Sequence, residues 1–142
     1  MGTGPSDPGR VATVQLQVRR AGPAPDVIAP DGSEVRILCA SSRGSMALFT
    51  LKPGATSRAV AHRRVEEIWY FIAGSGRFWH ADEEQDGVVD VGPGLSLVIP
   101  PGTRFQFRCD SAEPLTAVGT TMPPWPGEDE AYEVEGLWVP TV

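Results

Sequence analysis

A chain of 142 residues has room for one hydrophobic core and leaves little for a second. With Lys+Arg at 12 and Asp+Glu at 18, the net charge is -6, which opposes binding to a phosphate backbone or an anionic membrane surface. Hydrophobic residues at 41% argue for a folded chain, and 16 Gly with 14 Pro argue against a helical bundle.

Residues 1–10 mix Gly, Pro and Ser with charge, so a mobile tail is expected there, and the apolar core of a signal peptide is missing. No apolar run has the length of a membrane helix, and Cys39 and Cys109 lie too far apart for a Cys-x-x-Cys site. A cytoplasmic protein with two free, buried thiols is the expectation. From Val11 to Val18 the residues alternate, which predicts a strand with Ala12, Val14, Leu16 and Val18 on its apolar face. Gly22 to Pro30 holds three prolines and reads as a connector or an edge segment, followed by an Asp31-Gly32 turn.

Short strands then follow at even spacing: Glu34 to Cys39, Met46 to Leu51, Ile68 to Ala73, Arg77 to Ala81, Val88 to Val91, Leu95 to Ile99, Phe105 to Arg108 and Leu115 to Thr120. Pro-Gly or Gly-rich turns separate several of them, which is the pattern of an all-β sandwich or barrel. The glycines at 54, 74, 94 and 102 are expected at turns. Residues 11–121 form the predicted barrel domain. Residues 122–142 are a proline-rich extension, irregular apart from one helical turn available at Asp129 to Glu135. Trp125 and Trp138 are expected to hold this extension against the barrel.

Gly54, Val60-Ala61-His62, Glu67 and Gly74 stand at fixed offsets, as do Gly94, Pro100-Pro101-Gly102 and Phe105. This arrangement resembles the two motifs of the cupin superfamily, which implies a small jelly-roll β-barrel. In metal-bearing members the resemblance implies ligands from two histidines and a glutamate of the first motif and a histidine of the second. Here Val60 and Phe105 occupy two of those places. His62 and Glu67 remain, with His80 the one other histidine able to add a donor. No cofactor is therefore predicted, and a divalent metal would rest on His62, Glu67 and His80.

Period-two geometry puts Arg58 and Val60 on the side of His62, Trp69 and Phe71 on the side of Glu67, and Phe107 on the side of Phe105. The predicted site has His62, Glu67 and Arg58 as catalytic groups, with His62 oriented by the Glu67 carboxylate and Arg58 offering an anion-binding fork. Val60, Trp69, Phe71, Phe105 and Phe107 form its walls. The alternative is that the aromatic rings fill a closed barrel.

Three functions follow: a small-molecule enzyme doing acid/base chemistry (isomerisation, dehydration or cyclisation), a non-catalytic ligand-binding or sensor protein, and a metal-dependent, dioxygenase-like enzyme with an atypical ligand set. On the opposite strand face, Ile68, Tyr70 and Ile72 would form an apolar stripe, to be covered by the N-terminal strand or by a second copy in a homodimer.

Overall fold

The computed structural model describes residues 15–142. The predicted tail at 1–10 and the first half of the predicted strand at 11–18 lie outside the described residues. Eleven strands make up the described fold: β1 (Val27–Ile28), β2 (Glu34–Ala40), β3 (Ser45–Leu51), β4 (Val60–His62), β5 (Glu66–Ala73), β6 (Gly76–Ala81), β7 (Asp86–Val91), β8 (Ser96–Ile99), β9 (Arg104–Cys109), β10 (Leu115–Met122) and β11 (Ala131–Glu133). They form two antiparallel sheets, one in the order β1-β2-β3-β10-β5-β8 and the other β11-β4-β9-β6-β7. This is the all-β architecture that the strand pattern predicts and the jelly-roll that the motif resemblance implies. Gly54, Gly74, Gly94 and Gly102 all have positive φ and sit between strands.

Alternation along β5 explains how the sheets pack. Glu67, Trp69 and Phe71 are buried between the layers, while Glu66, Ile68, Tyr70 and Ile72 face outward. The inner face joins Phe78 of β6, Phe105 and Phe107 of β9, Ile99 of β8 and Leu115 of β10 in one cluster. The outward stripe of Ile68, Tyr70 and Ile72 stays uncovered by the described residues.

Three expectations are corrected here. Residues 15–18 form no strand, and Leu16 and Val18 are 94% and 86% exposed. The contact with the fold is made by polar Gln17 instead, whose side-chain oxygen accepts from the Ala40 amide at 3.0 Å. Cys39, expected to be buried, is only half-buried; Cys109 is buried, and both are free. The Asp129 to Glu135 stretch forms β11 rather than a helical turn, because pairing with β4 (Ala131↔His62, Glu133↔Val60) satisfies its backbone across the sheet edge.

β9 breaks the alternation, since Phe105, Gln106 and Phe107 are all buried. The C-terminal extension covers the outer face at Gln106. The Gln106 amide nitrogen donates to the Ser57 and Trp138 carbonyls, both at 2.8 Å, and its oxygen accepts from the Trp138 amide at 2.9 Å. Gly136 permits the approach, because a Cβ there would stand 2.4 Å from the Gln106 side-chain oxygen. Replacing Gln106 with Leu strands these backbone groups, so Gln106→Leu is expected to lose about 2–4 kcal/mol in denaturant unfolding. A loss below about 0.5 kcal/mol, the range of ordinary surface substitutions, would contradict this role for the side chain.

Candidate functional site

β2, β3 and β10 form one wall of a cavity of about 750 Å³, and β4, β9 and the segment after β10 close it. Its apolar surface includes Val35, Ile37, Leu38, Phe49, Val60 and Phe105. The polar side chains are Asp31, Ser45, His62, Glu67, Thr121 and the rim residue Glu128. Ser45 and Thr121 face each other in the β3–β10 register, and their hydroxyls are in hydrogen-bonding contact. Gly119 leaves room for Phe49 to stack on Trp69 at 5.3 Å between centroids, since a Cβ at that position would meet the Phe49 ring at 2.4 Å.

Glu67 projects from β5 and is almost fully buried. Its Oε1 accepts a hydrogen bond from the Trp69 indole N–H. Burial is the main influence on its pKa, pushing it from 4.5 up to about 8; the Trp69 bond opposes this and the Asp31 charge adds to it. Near neutrality Glu67 is therefore mostly a carboxylic acid, with Oε2 as the oxygen free to carry the proton.

His62, from β4, is buried edge-on against Phe105 (5.4 Å) and Trp125 (5.2 Å). Desolvation pulls its pKa from 6.5 down to about 4, opposed by the charge of Glu130. Its Nδ1 is buried without a hydrogen-bond partner among the described residues. The expected orientation of His62 by the Glu67 carboxylate is corrected accordingly. No hydrogen bond joins the two, and it is Trp69 that holds Glu67.

Trp69, Phe71 and Phe107 face inward as their parity requires, but they pack in the core instead of lining the cavity. Trp69 lies edge-on to Phe71, Phe78, Phe105 and Phe107 at 5.1–5.9 Å, a cluster that fills the barrel beneath the site. Val60 and Phe105 do line the cavity. Arg58 turns away: it precedes β4, where strand parity no longer applies, and its Nε donates to the Val142 carbonyl at 3.0 Å.

Asp31 and Trp125 were not anticipated in the site. Asp31 is buried in the β1–β2 turn, where its Oδ1 accepts from the Ser33 amide (2.8 Å) and hydroxyl (2.6 Å), and burial raises its pKa. An Asp-Gly pair signals a turn, but nothing local signals that the turn folds over a cavity. Trp125 was foreseen as an anchor, and its amide does bond the Ser45 hydroxyl at 3.0 Å. Its ring also closes the cavity over His62.

The residues present do not fit the transition-metal site that the motif resemblance implies. The Phe105 ring stands against His62 in place of a donor. His80 pairs with Gly87 on β7 and does not reach the cavity. No group of three His, Cys, Asp or Glu side chains suited to a metal forms among the described residues.

The two shifts have opposite consequences for stability. Glu67 keeps its proton in the folded state when the unfolded chain has lost it, so stability falls as pH rises from 4.5 to about 8. His62 stays neutral in the folded state while the unfolded chain protonates, so stability also falls as pH drops from 6.5 to about 4. Glu67→Gln is expected to flatten the alkaline limb, shrinking the stability difference between about pH 5 and pH 8.5 by a few kcal/mol, read by urea unfolding. An alkaline limb unchanged in this variant would show that Glu67 titrates normally.

Residues 47–120, just over half of the chain, match a family model described as the cupin domain. Among solved structures, an uncharacterized conserved protein with a double-stranded β-helix domain from Klebsiella pneumoniae is 15% identical, with 84% of this chain and 91% of that one covered and a TM-score of 0.61. Oxalate decarboxylase from Bacillus subtilis is 19% identical with a TM-score of 0.70; the match covers 87% of this chain but only 33% of that enzyme. Streptomyces Pac13 with uridine is 15% identical over 87% of this chain and 92% of its own, with a TM-score of 0.63. Pac13 is described as a nucleoside dehydratase. No curated protein sequence matches. At these identities the structural similarity is one of fold, and with the family match it establishes that the chain belongs to the cupin family.

Proposed function

We propose that this protein binds a small, largely apolar molecule and catalyses proton transfer on it, with Glu67 as the proton donor and His62 as the proton acceptor. The observation that carries this reading is the placement of a buried carboxyl and a buried imidazole on one cavity, where desolvation pushes the Glu67 pKa up to about 8 and that of His62 down to about 4. Groups whose surroundings push their pKa values past each other are the usual mark of an acid and a base in one site.

In this mechanism the Glu67 Oε2–H group hydrogen-bonds to a carbonyl or hydroxyl oxygen of the ligand. The neutral His62 imidazole takes a proton from the neighbouring carbon as electrons move toward that oxygen. Returning the proton to a different carbon gives isomerisation. In a hydroxyl compound the C–H electrons form a C=C bond as the C–O bond breaks, the hydroxyl leaves as water with the Glu67 proton, and the proton on His62 returns to Glu67 through solvent, which gives dehydration. Val60, Phe105 and Trp125 keep bulk water from the imidazole, and Trp69 fixes the donor. The scaffold is compatible with the second outcome, since Pac13 is a dehydratase of similar fold.

A panel of hydroxylated and carbonyl metabolites, followed by mass spectrometry, tests the proposal. Turnover of a substrate found in this way is expected to fall by roughly 10²–10⁴-fold in both His62→Ala and Glu67→Gln. Saturable binding without any product, or turnover unaffected in folded variants, would overturn the catalytic reading.

A further inference from the structure

The cavity wall carries no arginine or lysine side chain among the described residues. Its ionisable members are Asp31, His62, Glu67 and Glu128. Four arginines of the surrounding segments have their guanidinium groups engaged outside the cavity. Arg36 donates to the carbonyls of Gly22 and Pro23 at 2.9 and 2.8 Å. Arg58 holds the Val142 carbonyl at 3.0 Å, and Arg63 the Asp129 carbonyl at 2.8 Å. Arg64 lies 3.8 Å from the Glu130 carboxylate.

An anion entering this space would leave water without meeting a countercharge, with two buried acidic side chains and an acidic residue at the rim. Apolar side chains dominate the rest of the wall. The polar functions available to a ligand are the Ser45 and Thr121 hydroxyls, the His62 ring and the Glu67 carboxyl, which suit neutral oxygen and nitrogen groups.

From this arrangement we infer that the ligand of the cavity carries no anionic group: it is an apolar carbonyl or hydroxyl compound, and carboxylic acids, phosphate esters and nucleotides are excluded. The inference rests on the cavity being a ligand site, as the proposed function holds, and adds the charge class of what it accepts. Arg58, bound to the Val142 carbonyl, provides no anion-binding fork in this cavity.

Two probes of nearly equal shape separate these claims. The expected result in calorimetry at neutral pH is that 2-acetylnaphthalene binds and 2-naphthoate binds at least ~100-fold more weakly, the desolvation penalty of an unpaired carboxylate expressed as affinity. Met46 lines the cavity and is 41% exposed, so Met46→Lys can place a cation at the wall without disturbing the core. That variant is expected to narrow the gap by about tenfold or more, through the missing countercharge. Equal or tighter binding of 2-naphthoate by the natural protein would overturn the charge inference and leave the ligand-site reading standing. Failure of both probes to bind either protein would overturn the ligand-site reading itself.

Discussion

Trp69 is the residue on which the core and the site both depend. Its ring stacks on Phe49 and meets Phe71, Phe78, Phe105 and Phe107 edge-on, tying the two sheets together. Its one polar atom, the indole N–H, is spent on Glu67. A buried indole N–H needs an acceptor and a buried carboxyl needs a donor, so each group satisfies the other where water cannot. The packing that buries Glu67 is therefore also what holds it in place.

The chemistry of the cavity follows from that constraint. Phe105 belongs to the same aromatic cluster and presses on His62 from below, while Trp125 covers it from the extension. Both rings withdraw the imidazole from water, and neither offers it a hydrogen bond. The result is a pair of ionisable groups held neutral by their surroundings, with Asp31 buried nearby and no arginine or lysine on the wall among the described residues. A hydrated ion finds little here to replace its water shell. A neutral molecule with a polar end finds donors and acceptors at one side and hydrocarbon at the other.

Much of this was legible in the sequence because strand alternation and turn glycines are local signals. The motif offsets around Gly54, Glu67, Gly94 and Pro100 identified the fold, and parity assigned Trp69, Phe71, Phe105 and Phe107 to the inner face correctly. Parity gives direction without depth, however, so it did not separate Phe105, at the cavity wall, from Trp69 and Phe107 in the packed layer behind it. It misled at Arg58, because regular strand geometry begins only at Val60. It misled again at Leu16 and Val18, where alternation is present but no strand among the described residues pairs with the chain. Asp31 and Glu130 depend on contacts between segments far apart in sequence. Asp31 adds to the raised pKa of Glu67, and Glu130 opposes the lowering at His62, and no local pattern encodes either effect.

The protonation state of Glu67 decides the chemistry of the cavity, and it can be observed directly. Carbon-13 labelling of the glutamate side-chain carboxyls, assigned by comparison with Glu67→Gln, allows NMR to follow this group through a pH titration. A midpoint near 8, with the protonated form prevailing at neutrality, is the predicted result. A midpoint near 4.5, the ordinary value for the side chain, would contradict the account.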